Sequence, residues 1–179
     1  MTPEYLAGLF DGEGCIDVQR MYPKLGSHTS RFYVRPRVRL AMTDACWVLG
    51  QALHERFGGH LTRRKPTTPT QNPSWSLEWL SRKDILAILD VIEPYLILKA
   101  QQAKLARWWF ENASGKQTKS GYVGMEQARK AFAEELSAMK RDPQRLSERA
   151  AERIVRLMRQ SDLHGDMQTP AETIGALAG

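Results

Sequence analysis

Two carboxylates stand between glycines near the start of the chain, in the stretch LAGLFDGEG that covers residues 6–14. A capping hydroxyl followed by a proline opens this region, and the apolar pattern after it predicts a short helix that ends at Gly12 and Gly14. The C-terminal end of a helix carries partial negative charge and favours Lys, Arg or His. Asp11 and Glu13 break that rule, which indicates that they are kept for a function.

A second stretch, residues 31–42, alternates basic or polar side chains with apolar ones. This period of two predicts a β-strand with one charged face and one buried face. The charged face contains Arg31, Tyr33, Arg35, Arg37 and Arg39, and the apolar face contains Phe32, Val34, Pro36, Val38 and Leu40. No acidic residue occurs between Asp17 and Asp44, so the positive charge is concentrated there.

Two interpretations of this charged strand remain open. A solvated edge strand uses charged side chains to prevent aggregation, whereas a sheet face laid against nucleic acid uses them to contact phosphates and guanine bases. Three basic residues on a later strand extend the same surface, which favours the second interpretation. The candidate DNA-binding residues are Arg20, Lys24, Arg31, Tyr33, Arg35, Arg37, Arg39, Arg63, Arg64, Lys65, Ser74 and Ser76.

Composition limits the class of protein. The chain has 179 residues, of which 42% are hydrophobic, and a formal net charge of +6, which fits one domain with an anionic partner. Two cysteines provide neither a disulfide framework nor the Cys/His spacing of a zinc site. We expect no membrane contact and no secretion, because no membrane span or charged leader is recognisable. The expected location is the cytoplasm of a bacterial or phage host, or an organelle that encodes the protein.

Periodicity and turn signals predict the element order αββαββα, an α+β fold with an antiparallel sheet. After the first helix come strands from Cys15 and over residues 31–42, a helix over 44–57, strands over 60–65 and 74–80, and a helix that opens at Ser81. Residues 1–160 are predicted to form one domain, with a core of about 1–113 and C-terminal helices over about 114–160. Residues 161–179 are predicted to be a flexible tail.

The stretch LAGLFDGEG resembles, in register, the signature of the LAGLIDADG homing endonucleases. The resemblance implies a saddle-shaped antiparallel sheet on DNA, with the signature helices of two half-molecules packed side by side. A single copy of the signature implies a homodimer. Its interface would include Ala7, Gly8 and Asp11, although the small residues Ala7 and Gly8 could instead pack in the core of their own chain.

The resemblance also implies a divalent metal ion, Mg²⁺, near the end of the signature. Glu13 stands where the family usually has a metal-binding aspartate, and the carbonyl of Gly12 would be a further ligand. The alternative for Glu13 is an exposed turn residue. Asp11 would be structural, holding the helix end and the following turn together, or would touch the metal shell.

Lys99 matches a basic residue that lies near the scissile phosphate in this family, with Lys104 and Arg107 as alternative cations. A polar residue late in the second strand would fall near Met42, whose thioether cannot position water. Thr43 or Arg39 would then take that role.

The resemblance implies a site-specific homing endonuclease that cuts both strands of a long, nearly palindromic DNA site. The reaction would be metal-dependent phosphodiester hydrolysis by Glu13 and Lys99, in an enzyme of the intron-encoded type. Two alternatives remain open: an RNA maturase that assists intron splicing, and a DNA-binding regulator that no longer cleaves.

Overall fold

The structure, a computed structural model, describes residues 1–21, 33–112 and 122–165. Over these ranges the helices are α1 (Pro3–Glu13), α2 (Trp47–Phe57), α3 (Arg82–Ile92), α4 (Ala100–Asn112), α5 (Tyr122–Arg141) and α6 (Ser147–Gly165). The strands are β1 (Gly14–Met21), β2 (Tyr33–Thr43), β3 (His60–Arg64) and β4 (Ser74–Trp79). The predicted α+β class and the order αββαββα are therefore confirmed.

Helix α1 begins where the sequence predicts and runs slightly further. The Thr2 hydroxyl accepts a hydrogen bond from the backbone N–H of Tyr5 at 3.3 Å, which satisfies one of the unpaired donors of the first turn. Gly12 lies inside the helix, and Gly14 alone is its cap. The buried side of α1 carries Leu6 and Phe10.

The four strands form one antiparallel sheet in the order β1-β2-β4-β3. Val38, Leu40, Trp75 and Leu77 are fully buried beneath the helices, and the residues that alternate with them on β2 lie on the opposite side. The predicted period of two is thus confirmed, and it separates a helix-covered face from an uncovered one. We call the uncovered side the open face; its residues on β1, β2, β4 and β3 are Cys15, Asp17, Gln19, Arg35, Arg37, Arg39, Ala41, Thr43, Ser74, Ser76, Glu78, His60, Thr62 and Arg64.

The helix expected over residues 44–57 is divided. A single 3-10 turn over Asp44–Cys46 precedes α2. Gly58 and Gly59 end α2 with φ angles of 67° and 90°, a conformation that other residues rarely adopt. A side chain at Gly59 would also lie 2.9 Å from the Trp79 ring, so the close approach of loop and strand requires glycine there.

Helix α3 contributes its apolar side to the apolar cluster between the sheet and α1. The Ser81 hydroxyl accepts from the backbone N–H of Asp84 at 3.1 Å, as the sequence predicts for its cap. The apolar side of α3 is completely buried against the sheet and α1, through Ile85, Ile88, Leu89 and Ile92. Burial of each such side chain contributes about 1.5–3 kcal/mol before conformational entropy is subtracted.

The C-terminal helices build a second apolar cluster beside the sheet. Trp109 of α4 stacks on Phe132 of α5 with ring centroids 4.2 Å apart, and Val34 of β2 joins the cluster. Helix α5 ends at Arg141, and α6 begins at Ser147. Helix α6 continues to Gly165, past the predicted start of the tail at residue 161. The rest of the predicted tail, 166–179, lies outside the described residues.

None of the helices in the described part of the chain is long and apolar enough to cross a membrane.

A carboxylate is buried where α5 meets α6. Glu135 is 1% exposed and accepts hydrogen bonds from Arg145 at 2.6 Å and from Arg153 at 2.7 Å. Burial by itself would raise the pKa of Glu135, but the hydrogen bonds from the two guanidinium groups outweigh burial and lower the pKa below its ordinary value of 4.5. The ionised side chain thus ties the interhelical turn to both helices.

We predict that Glu135→Gln destabilises the fold at neutral pH by roughly 1.5–3 kcal/mol, the usual contribution of hydrogen bonds to a charged group. Because the folded-state pKa is lowered, this stabilisation is present above the ordinary pKa and is lost as the pH falls through the folded-state value. Urea unfolding from pH 7 to pH 3 should show the difference between wild type and variant shrinking below about pH 4.5.

Glu134→Gln is the matched control, since the side chain of Glu134 is 59% exposed and forms one hydrogen bond to Arg153. Its effect should stay within about 1 kcal/mol. Equal effects of the two substitutions, or a gap for Glu135→Gln that does not change with pH, would contradict the assigned role.

Candidate functional site

The carboxylate of Asp11 links the end of α1 to the beginning of α4. It accepts hydrogen bonds from the backbone N–H of Ile97 at 2.7 Å and of Lys99 at 2.9 Å. The carbonyl of Lys99 accepts the first helical bond of α4, from Ala103, so Asp11 lies at the N-terminal end of that helix. An acid that is unfavourable at the end of α1 is therefore favourable at the start of α4. The role of Asp11 is therefore structural, but its carboxylate binds the start of α4 rather than the turn that follows α1, and it is bound within its own chain rather than facing a partner.

The ammonium group of Lys99 also reaches α1. It donates a hydrogen bond to the backbone carbonyl of Asp11, one of the carbonyls that a helix end leaves without an internal partner. Of the alternative cations, Arg107 instead pairs with Glu93 at 2.7 Å and Asp90 at 2.8 Å. The structure thus places Lys99, 88 residues away in sequence, at the end of the signature helix.

Glu13 and Gly12 are exposed beside this junction. None of the described residues forms a hydrogen bond or ion pair with the Glu13 carboxylate. Carboxylate and carbonyl oxygens are the hard ligands that Mg²⁺ prefers, and Mg²⁺ usually retains waters and is held by one or two carboxylates together with substrate phosphates. The two groups therefore fit the metal that the sequence implies. Within the described ranges, no three His, Cys, Asp or Glu side chains are close enough to form a metal site by themselves.

The open face carries the arginines of β2, and each has a partner on a neighbouring strand. Arg35 donates from Nε to the side-chain oxygen of Gln19 at 2.8 Å. Arg37 binds both carboxylate oxygens of Asp17, from Nε at 2.8 Å and from Nη2 at 3.0 Å. A second carboxylate, on β4, lies 4.0 Å from guanidinium nitrogens of three arginines: Glu78 faces Arg37, Arg39 and Arg64.

The pKa values of the central pair move apart. For Asp17, burial would raise the pKa, but the hydrogen bond from Arg37 and its charge lower it on balance. For Arg37, the hydrogen bond to Asp17 raises the pKa above its ordinary range. Both side chains therefore stay ionised at neutral pH.

Two of the candidate arginines lie elsewhere. Arg63 is opposite Trp75 on the helix-covered side, where it binds Asp44 through two hydrogen bonds of 2.6 and 2.5 Å and stacks on Trp47. Consecutive strand residues point to opposite faces, so Arg63 and Arg64 cannot extend the same surface. Arg20 is exposed but pairs with the buried Val34, which places it on the side away from the arginines of β2.

The remaining candidates are divided between the open face and its margins. Ser74 and Ser76 lie on the open face, although Ser76 is only 3% exposed and forms part of its floor. Lys65 is exposed immediately after β3. Lys24, Arg31 and the side chain of Tyr33 lie outside the described residues.

The register also decides which residue near the end of β2 faces the open side. Met42 is opposite Trp75 and packs against the core. Arg39 and Thr43 belong to the open face, so either can take the polar role that Met42 cannot.

The exposed side of α1 differs from the one expected. Ala7 is fully buried in the core of its own chain, which corrects the expectation that Ala7 and Gly8 together face a partner. Gly8 and Gly12 are both exposed, and their spacing of four places them on one side of the helix. Apart from the backbone of α1 itself, a methyl group at either glycine would meet no atom of the described residues within 4 Å. The small exposed pair of α1 is therefore Gly8 and Gly12, with the exposed Tyr5 beside them.

Asp17 and Glu78 are two acidic residues of the open face that the sequence interpretation missed. Both lie in strands where polar and apolar residues alternate, and this alternation indicates which face a side chain shares. Asp17, for example, lies on the same face as Cys15 and Gln19, each two residues away. The alternation gave no signal for the partner, because the register of β1 on β2 depends on a connection whose length does not fix the pairing.

No protein-family model matches the chain, and no curated protein does. Solved structures with the same fold do match. The homing endonuclease I-CvuI in complex with its DNA target has a TM-score of 0.61 at 23% identity, over 87% of this chain and 93% of that one. The archaeal intron-encoded homing endonuclease I-Vdi141I with DNA has a TM-score of 0.57 at 14% identity, over 90% and 96%.

The LAGLIDADG homing endonuclease I-GzeII with its DNA target has a TM-score of 0.60 at 16% identity. The match covers 82% of this chain and 50% of I-GzeII, so this chain spans about half the length of that protein. With the signature LAGLFDGEG on α1 and the antiparallel sheet following it, the chain has the fold of the LAGLIDADG homing endonucleases.

Proposed function

We propose that this chain is one half of a homodimeric, site-specific endonuclease that hydrolyses both strands of double-stranded DNA. The observation that carries the proposal is the position of the exposed Glu13 directly before β1, the strand that pairs with the arginines of the open face. Cys15 lies opposite Arg39, so Glu13 precedes the end of the arginine row by two residues along the chain. Solved structures of the same fold are described as bound to their DNA targets, which supports DNA as the partner.

The chemistry of the proposed site requires a divalent cation. Glu13 and the carbonyl of Gly12 would hold Mg²⁺, which when bound would stabilise negative charge on the phosphodiester oxygens and lower the pKa of a bound water. Lys99, held at the end of α1 by Asp11, would add positive charge beside the phosphate. Asp11 would act through position, because both its oxygens are occupied by backbone N–H groups.

A homodimer follows from the number of sites. One chain supplies one Glu13, whereas the two antiparallel strands of a duplex require two equivalent sites related by a two-fold axis. The exposed glycines of α1 allow two helix backbones to approach closely, as small residues do at helix contacts. Pairing through Gly8 and Gly12 would bring the two copies of Glu13 toward each other, because Gly12 adjoins Glu13.

We predict that Glu13→Gln lowers DNA cleavage in Mg²⁺ by about 100-fold or more, because each 1.4 kcal/mol of lost transition-state stabilisation is a factor of about ten. Target affinity should change little, since the open face is untouched. The measurement uses a library of random duplexes: cut ends are sequenced in Mg²⁺, and binding is measured in Ca²⁺, a larger cation with the same preference for oxygen ligands.

Glu55→Gln is the matched control, the same chemical change on the exposed side of α2, away from the proposed metal site and from α1. It should cleave like wild type. Full cleavage by Glu13→Gln would show that Glu13 does not take part in the reaction. A wild-type protein that binds a defined sequence and never cuts it would instead identify a DNA-binding regulator.

We predict that Gly8→Val leaves the single chain folded but weakens the dimer. A Cβ at Gly8 meets no described residue outside the backbone of α1, and replacing an exposed helical glycine tends to stabilise the monomer. Across the two-fold axis the extra bulk occurs twice, each time at about 1–3 kcal/mol, so the dissociation constant should rise at least about 30-fold. Analytical ultracentrifugation measures the association, and thermal unfolding verifies the fold.

Glu55→Val places the same side chain on the exposed side of α2 and should leave the dimer unchanged. A Gly8→Val protein that dimerises like wild type would show that α1 is not the pairing surface. A wild-type chain that stays monomeric at micromolar concentration, with and without DNA, would contradict the homodimer.

A further inference from the structure

Arg37 is held differently from its neighbours on the open face. Asp17 lies directly across the β1–β2 ladder and binds it at two points, Nε to Oδ1 at 2.8 Å and Nη2 to Oδ2 at 3.0 Å. Two parallel hydrogen bonds of this kind fix the plane of the guanidinium group as well as its position. Among the described residues, Arg35 has one hydrogen bond, to the neutral side chain of Gln19, and Arg39 has only the 4.0 Å approach to Glu78.

Asp17 is itself held on several sides. The Cys15 thiol donates to Asp17 Oδ2 at 3.4 Å, and the Lys140 ammonium at the end of α5 lies 3.5 Å from the same oxygen. The side chains of Asp17 and Arg37 are 17% and 21% exposed, so the pair is largely shielded from water. The pair is thus part of the rigid sheet rather than a loose surface contact.

This geometry leaves the end edge of the guanidinium group without a hydrogen bond to any described residue, although Glu78 Oε2 lies 4.0 Å from Nη1. Arginine has five N–H donors, and the bonds to Asp17 use one on Nε and one on Nη2. Two donors on Nη1 and one on Nη2 remain, and one donor from each of these nitrogens forms the end edge of the group. That edge matches the O6 and N7 acceptors that guanine presents in the major groove.

The charge balance indicates which part of DNA the edge would contact. An arginine that serves a phosphate acts through its net charge, and a paired carboxylate removes most of that advantage. An arginine that reads a base acts through the direction of its donors. Holding the arginine in place before binding strengthens such a contact, because the side chain has already lost its rotamer freedom when the DNA arrives.

We propose that Asp17 is a positioning residue for DNA recognition, which holds Arg37 with its end edge outward so that it reads one guanine in each half-site. This inference rests on the proposed function, because it requires that the open face binds DNA. It assigns the carboxylate on β1 a role in sequence choice, separate from the chemistry at Glu13.

The test measures sequence preference by binding alone. Wild type, Asp17→Asn, Arg37→Ala and the double variant each select from a library of random DNA duplexes in Ca²⁺. Wild type should prefer guanine at one position of each half-site by about 5- to 150-fold, the discrimination of a bidentate arginine contact. Asp17→Asn and Arg37→Ala should each relax that same position, and the double variant should add nothing further, because the two residues act as one unit.

Glu78→Gln is the matched control, since it also removes one negative charge from the open face but forms no hydrogen bond to Arg37. It should keep the guanine preference. Asp17→Ala, which leaves no acceptor for Arg37, should lose the preference completely, and thermal unfolding establishes that each variant is folded.

Two negative results have different meanings. A wild-type protein that enriches no sequence overturns the proposed function together with this inference. A wild-type protein that enriches a defined site whose base preferences stay unchanged in Asp17→Asn overturns the inference alone. Uniformly tighter binding of all sequences by Asp17→Asn and Glu78→Gln alike, with no position relaxed, would also overturn it, because Asp17 would then act only through its charge.

Discussion

The geometry of the candidate site depends on one carboxylate that serves two helices. Asp11 belongs to the last turn of α1, where its charge is unfavourable, and accepts two backbone N–H groups at the start of α4, where its charge is favourable. The same contact brings the Lys99 ammonium onto the carbonyl end of α1. Glu13 and Gly12 follow within two residues, so their position relative to Lys99 is set by these hydrogen bonds. The β1 strand then begins at Gly14, which ties the site to the sheet.

The open face is less positive than the arginines alone would make it. Strand alternation places Arg35, Arg37 and Arg39 on one side, and antiparallel pairing puts Gln19 and Asp17 directly against two of them. The face therefore combines charge that attracts a polyanion with fixed donors that can discriminate between bases. Both features come from the same ladder, because the cross-strand distance in an antiparallel pair suits a short acid opposite a long base.

The two apolar clusters stabilise different parts of the chain. The first lies between the sheet, α1 and α3, and fixes the buried side of α1, so that Gly8 and Gly12 remain on its outer side. The second packs α5 and α6 beside the sheet and is closed by the buried Glu135. Lys140 connects the second cluster to the open face, since its ammonium reaches Asp17 from the end of α5.

The sequence by itself determined what depends on neighbours along the chain. Thr2, Ser81 and the glycine pair at 58–59 specify helix ends through local hydrogen bonds and φ angles, and the period-two pattern of residues 34–40 specifies the buried side of β2. The signature LAGLFDGEG identified the helix that carries the candidate metal ligands. These features were predictable because helix caps, turns and alternation involve residues only a few positions apart.

Only the tertiary structure decided the contacts between distant segments. The two hydrogen bonds between Asp17 and Arg37 require a strand register that no local signal specifies. Arg63 lies on the helix-covered side of the sheet rather than on the open face, because consecutive strand residues point to opposite faces. Ala7 went into the core, since α3 and the sheet cover that side of α1. The role of Asp11 at the end of α1 depends on the position of α4, because the backbone N–H groups that it binds lie 86 and 88 residues further along the chain. Such contacts depend on how the elements pack, which composition and periodicity do not encode.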